Sequence, residues 1–288
     1  CIRDRFHVAG TNMGLAGMVT GAKNIIIPEV DPTLILKLIE QEKIQHALFV
    51  PAVILFLVQH PDAANTDFSS LKTVIYGASP ITDDTLIKAM ELMKCDFWQV
   101  YGLTETNGAI TFLFPEDHDI ERGKLRSCGK AGKDVGLRVV DANDNDVPVG
   151  EVGEVIIKSL NNMKGYWNRQ DATEEAIKDG WFYSGDIGYF DDEGFLYIHD
   201  RVKDMIVSGG ENIYPAEVEN ALLSHPQIAD AAVIGIPDEK WGEATKAFIV
   251  QMEGDPLDEA EVISYVRTQI AGYKLSLIHI SEPTRPRL

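Results

Sequence analysis

The sequence predicts an α/β protein that carries a small antiparallel β unit, followed by a small α+β C-terminal domain. Three observations predict this. Strand and helix signals alternate to about residue 127, and short strand-like runs broken by turn clusters fill about 128–200. Past Arg201 a proline-started helix precedes two strands and a last helix. On this reading residues 1–200 belong to a large domain, 201–274 to part of a second, and 275–288 to a tail outside both.

In the α/β layer, Asp31-Pro32-Thr33 sets a capping carboxylate before a proline suited to a first helical turn. The run Leu34 to Ile39 continues that helix, which the polar Glu40-Gln41-Glu42-Lys43 ends. Ala47–Val50 and Thr73–Tyr76 read as short strands, and Thr82 caps a helix whose apolar face includes Leu86, Ile87 and Met90. The alternation predicts a largely parallel sheet. The most apolar run, Ala47 to Val58, is too short to span a membrane and contains Pro51, so it is predicted to be a buried core segment.

The β unit is predicted from Val135–Val140, Glu154–Lys158, Gly188–Phe190 and Phe195–His199, with turns at Asp141–Asp146, Pro148–Gly150 and Asp191–Gly194. Beyond Arg201 a helix opens at Pro215 with Val218, Ala221 and Leu222 inward. Strands at Ala231–Ile236 and Thr245–Gln251 follow, then a helix near Asp258–Ala271. The chain starts at Cys1 on a loop-like stretch, and periodicity stops after Lys274. The segment Leu275–Leu288 opens on LSLIHISEPTR, which resembles the translation of a common sequencing adaptor and is set aside from fold reasoning.

A net charge of −19 over 288 residues argues against a nucleic-acid partner, which needs a basic face, and disfavours docking on anionic membrane. Cys1, Cys95 and Cys128 are too widely and irregularly spaced for a disulfide framework or a zinc site, which fits a reducing cytoplasm. No run is long enough for a transmembrane segment.

Three segments carry chemistry. YGLTETN, Tyr101 to Asn107, offers a glycine beside hydroxyl and carboxylate neighbours: Thr104 can donate to a phosphate oxygen and Glu105 can hold Mg²⁺. The same residues also fit an ordinary strand-to-loop turn. GWFYSGD, Gly180 to Asp186, places a carboxylate at an expected strand edge, where it can accept from two vicinal hydroxyls or simply cap a turn. DRVKDMIVSGGENIYPAEVE, Asp200 to Glu219, combines an arginine, a strand, a Gly-Gly turn and a proline-started helix; a surface hairpin with solvated charges accounts for it equally well.

Together, in this order, the three resemble the adenylate-forming superfamily of acyl-CoA synthetases, aryl-CoA ligases, luciferases and peptide-synthetase adenylation domains. The resemblance runs from about Phe6 to Lys274 and takes in FHVAG at Phe6–Gly10, YGASP at Tyr76–Pro80 and IGIPDEKWGEATKAFIV at Ile234–Val250. It implies a truncated adenylate-forming fold and a two-step ligase using ATP, Mg²⁺ and CoA: a small-molecule carboxylic acid is converted to acyl-AMP and then to a thioester. Residue by residue it implies Glu105 as the Mg²⁺ ligand and Thr104 as a phosphate contact. Tyr101 would lie on the adenine, which Gly77, Ala78 and Ser79 frame. Asp186 and Arg201 would hold the ribose, and His7 would sit by the acyl carboxylate. Lys203 would be the hinge, with Gly209 and Gly210 on the CoA side.

The family's phosphate loop and its C-terminal catalytic lysine have no counterpart in this sequence, so the resemblance implies a chain that does not adenylate by itself. FHVAG and the small residues of GLAGMVTGA, Gly14 to Ala22, suit an apolar acyl group, and the fatty-acyl branch of medium to long chain is the expectation. The alternatives are an aryl or coumarate-type CoA ligase, an adenylation domain that loads a carrier protein, and a non-catalytic nucleotide-binding protein.

Overall fold

Side-chain caps open three of the helices of this computed structural model, which describes residues 7–27, 29–201, 204–208, 211–238, 241–252, 257–271 and 274. Helix α1 (Val8–Thr20) starts where His7 Nδ1 accepts from Ala9 N at 3.2 Å, and ends at Gly21 in the left-handed region. Helix α2 (Pro32–Gln41) starts where the Asp31 carboxylate accepts from Leu34 N at 3.2 Å, and it buries Ile35, Leu36 and Ile39. The apolar run Ala47–Val58 divides in two. Strand β1 (His46–Phe49) ends before Pro51, which forces Val50 into extended geometry and opens helix α3 (Pro51–Gln59).

Strand β2 (Thr73–Gly77) leads to helix α4 (Asp83–Met93), which Thr82 caps by accepting from Thr85 N. Strands β3 (Asp96–Leu103), β4 (Gly108–Leu113) and β5 (Lys130–Ala131) complete a sheet in the order β1-β2-β3-β4-β5. β1, β2 and β3 are parallel, whereas β4 and β5 add antiparallel. The sheet is therefore mixed: the tight return between β3 and β4 leaves no room for a crossover helix. Ile54, Leu57, Val74, Leu86 and Phe97 are buried in the core beside the parallel strands, each worth roughly 1.5–3 kcal/mol of burial.

Strands β6 (Gly136–Val140) and β7 (Gly153–Lys158) pair antiparallel. Helix α5 (Gln170–Ala176) follows, then β8 (Ile177–Lys178), β9 (Trp181–Phe190) and β10 (Leu196–Arg201), giving a second sheet β10-β9-β7-β6 with β8 beside β9. β9 starts seven residues before the expected Gly188, so Asp186 lies within a strand rather than at its edge.

The chain divides into two units, Cys1–Ser184 with Tyr189–Tyr197, and Gly185–Gly188 with Ile198–Leu288. In the second unit β11 (Ile206–Ser208) and β12 (Glu211–Ile213) form a hairpin. Helix α6 (Pro215–Leu223) and the long antiparallel pair β13 (Ile228–Asp238) and β14 (Gly242–Gln251) follow, then α7 (Glu259–Arg267). The sheet order is β12-β11-β14-β13, and Val218, Leu222, Val262 and Val266 of the two helices share a core with Ile206 and Ile213. Among the described residues, no helix is long and apolar enough to cross a membrane.

Candidate functional site

Two of the motifs that carry the resemblance, YGASP and YGLTETN, lie at the carboxyl ends of adjacent parallel strands. β2 ends at Gly77, which is in register with Val100 of β3, and β3 runs on into Thr104–Thr106 as a single 3₁₀ turn. The carboxyl edge of parallel strands is where open α/β sheets place ligands, because the loops there diverge and leave a crevice.

Both loops depend on glycine. A Cβ on Gly77 would lie 2.1 Å from Val100 O, and one on Gly102 would lie 1.9 Å from Gly108 O, so neither position admits a side chain without a backbone shift. Ala78 follows with φ +73°, a left-handed conformation that costs a non-glycine residue and that marks a position the fold enforces. Gly77 is buried, whereas Ala78, Ser79 and Pro80 are exposed, so the loop leaves the sheet into solvent directly after Gly77. Beneath it, the Tyr76 hydroxyl and His118 Nε2 are 3.1 Å apart, and His118 Nδ1 lies 2.8 Å from Phe114 O. A carbonyl only accepts, so Nδ1 carries the proton and Nε2 receives the tyrosine's. Burial holds the imidazole below its ordinary value and raises the phenol, so both stay neutral.

The second loop is fixed from within. Thr106, 1% exposed, accepts from Leu103 N at 2.9 Å, and its hydroxyl lies 2.7 Å from Gly108 O and 3.0 Å from Leu103 O. Asn107 adopts φ +53° and Gly108 φ +112°, which turn the chain back into β4. Asn12 of α1 donates to Asn107 O at 2.9 Å, tying the first helix to this return. Thr104 is exposed and Glu105 half-buried, with one carboxylate oxygen accepting from the Tyr166 hydroxyl at 2.9 Å.

A lone carboxylate suits Mg²⁺ held mainly by nucleotide phosphates, and among the described residues no group of three metal-ligating side chains competes with it. Tyr101 is half-buried on β3, opposite Thr111. His7 stands at the N-terminus of α1, where its Nδ1 serves the helix.

In the second unit, Asp186 on β9 is 4% exposed and pairs with Arg201 at the end of β10, Nε to Oδ1 at 3.3 Å. The two residues expected at a ribose are thus neighbours: an anionic acceptor oriented by a guanidinium that is itself more than half exposed. Gly185, just before Asp186, has φ +71°. Asp200 receives Ala216 N at 2.8 Å and so caps α6 from a distance. The Lys274 ammonium donates to both oxygens of Glu217 at 2.6 Å, which assigns it a structural contact. Lys203, Gly209 and Gly210 lie outside the described residues.

Burial pushes the Cys95 thiol up to about 11, which disfavours a thiolate nucleophile there. Sequence reasoning passed over Thr106, His118, Asn12 and Tyr166. Only the Asn107-Gly108 turn dipeptide offered a local signal for the return they support.

Comparison with known proteins bears on the same segments. The family model for the AMP-binding enzyme matches residues 1–167, and that for the AMP-binding enzyme C-terminal domain matches 217–281. A feruloyl-CoA synthase of Amycolatopsis is 38% identical over 271 residues, covering 94% of this chain and 54% of that protein. The long-chain-fatty-acid–CoA ligase FadD13 of Mycobacterium tuberculosis is 40% identical over 272 residues, covering 94% of this chain and 52% of its own. The chain thus spans about half the length of the curated relatives it matches. Among solved structures, o-succinylbenzoate CoA synthetase from Bacillus subtilis with its acyl-adenylate intermediate superposes with a TM-score of 0.87 at 32% identity, over 97% of this chain and 56% of that one.

Proposed function

The chain belongs to the AMP-binding enzyme family, and on that premise we propose that it serves ATP-dependent activation of a carboxylic acid to acyl-AMP and then to acyl-CoA. The observation that carries this reading is the pair of loops at the carboxyl ends of β2 and β3, one of small exposed residues after Gly77 and the other offering the Thr104 hydroxyl and the Glu105 carboxylate. In the first step the acid's carboxylate attacks the α-phosphate and pyrophosphate leaves. In the second the CoA thiol displaces AMP. Neither step needs a protein nucleophile, so the residues act by position and charge.

The resemblance gives each residue its role, and the residue's chemistry suits it. The backbone of Gly77, Ala78 and Ser79 frames the adenine and Tyr101 offers its ring face. The Thr104 hydroxyl donates to a phosphate oxygen, and Asp186 accepts from the ribose hydroxyls while Arg201 orients it. Glu105 would hold Mg²⁺, which when bound offsets phosphate charge. His7 would serve the acyl carboxylate, and the resemblance assigns Lys203 to the hinge between the two steps and Gly209 and Gly210 to the CoA side. The 288-residue chain alone is not competent in this reading; the activity belongs to a chain of its relatives' length.

The apolar residues of FHVAG and Gly14–Ala22 favour a medium- to long-chain fatty acid, in a cytoplasmic enzyme of lipid metabolism. The relatives include fatty-acid ligases, a feruloyl-CoA synthase and a ligase that acts on an acyl-carrier protein, so the acid is chosen by experiment. The chain extended to its relatives' length is incubated with ATP, Mg²⁺, CoA and straight-chain and aryl acids, with products read by mass. Acyl-CoA from straight-chain acids is the expected result. Acyl-CoA from aryl acids alone would move the substrate, and no adenylate from any acid would overturn the reading.

A further inference from the structure

Glu105 is held at two points by one segment that carries no assigned role. After β7 the chain turns at Ser159, where Asn161 N donates to the Ser159 hydroxyl at 3.1 Å and Asn162 Nδ2 donates to Ile157 O at 2.9 Å. Met163 N then donates to the main-chain oxygen of Glu105 at 2.6 Å, and three residues on the Tyr166 hydroxyl donates to its carboxylate at 2.9 Å. The segment's other side is anchored as well. Tyr166 N donates to Thr173 Oγ1 at 2.9 Å, and that hydroxyl donates to Arg169 O at 2.8 Å at the start of α5. A Cβ on Gly165 would lie 2.7 Å from a Thr173 methyl carbon, so the chain is pressed against that helix. Tyr166 is therefore fixed at its backbone by α5 and at its tip by Glu105.

The chemistry of the partner matters. A lysine or arginine beside Glu105 would neutralise the charge that a divalent cation needs, whereas a phenol orients one oxygen and leaves the charge in place. Among the described residues no ion pair involves Glu105. We propose that Tyr166 is a positioning residue for the cation-holding carboxylate, with the Asn162–Thr173 segment acting as the brace that aims Glu105. This rests on the reading of Glu105 as the Mg²⁺ contact.

The test uses the chain extended to its relatives' length, with ATP bound and Mn²⁺ as the probe, its affinity read by electron paramagnetic resonance. Y166F is expected to weaken Mn²⁺ binding roughly three- to tenfold, with the thermal midpoint and the KM for the acid unchanged. E105Q is expected to weaken it further, and the double variant to match E105Q alone, because the tyrosine acts through the carboxylate. Mn²⁺ affinity untouched by Y166F, or a Y166F effect that persists undiminished in E105Q, would overturn the inference while leaving Glu105 in its role. Mn²⁺ affinity untouched by E105Q would overturn the role of Glu105 and the inference with it.

Discussion

Replacing Thr106 with valine keeps the shape of the side chain and removes only the hydroxyl that closes the Tyr101–Asn107 loop. That hydroxyl accepts from Leu103 N at 2.9 Å and lies 2.7 Å from Gly108 O, in a residue 1% exposed. The variant leaves the Leu103 amide without its acceptor, and an orphaned buried donor costs about 1–3 kcal/mol. A buried methyl in place of the hydroxyl returns about 0.8 kcal/mol at most. Gly108 O loses the same hydroxyl, which puts the cost at the upper end of that range, so the net loss is about 2 kcal/mol, and at a urea slope of roughly 2 kcal/mol/M the midpoint moves down by about 1 M. Thr106→Ser keeps the hydroxyl and loses one methyl, so it should cost about half as much. Urea unfolding followed by tryptophan fluorescence reads mainly the first unit, where Trp98, Trp167 and Trp181 lie, with Trp241 replaced by phenylalanine in parent and variants alike to remove the signal of the second unit. A T106V midpoint within about 0.2 M of the parent, or T106S as damaging as T106V, would refute the hydrogen-bond account.

His118 and Lys274 give two further predictions. Burial holds His118 below the ordinary imidazole value of about 6.5, so the folded state keeps it neutral while the unfolded chain takes up a proton. Stability from this group is full above about 6.5 and is lost as pH falls below it; H118Q should flatten that slope between about pH 7 and 5, and an unchanged slope would contradict the assignment. Lys274→Ala should destabilise the second unit by about 1–3 kcal/mol through its contact with Glu217 and leave nucleotide affinity unchanged. Lost affinity at constant stability would assign the lysine to the nucleotide instead.

Local chemistry made much of this fold legible in the sequence. Asp31 and Thr82 cap the helices they were expected to cap, and Pro215 opens α6 with Val218, Ala221 and Leu222 buried. A carboxylate or hydroxyl before a helical run acts within one turn, so short-range reading suffices. Long-range pairing was less legible. β4 returns antiparallel through an Asn107-Gly108 turn, a pairing that the expectation of a largely parallel sheet did not locate. The Ser184-Gly185-Asp186 run, which reads as a turn, hid the continuity of a strand that carries Asp186 inside it. Helix α1 is apolar on every side and has no buried residue, so it shows no periodicity that would mark its boundaries. The site residues divide along the same line. Glu105 and Asp186 stand in recognisable motifs, whereas Tyr166 reaches Glu105 across 61 positions, a contact that only the folded chain specifies.

Hydrogen–deuterium exchange of the extended chain, with and without a non-hydrolysable acyl-adenylate analogue, tests the central claim most directly. The account predicts protection concentrated at Tyr76–Pro80, Tyr101–Gly108 and the strand around Asp186. Binding of the analogue with those amides unprotected, and protection elsewhere, would contradict it.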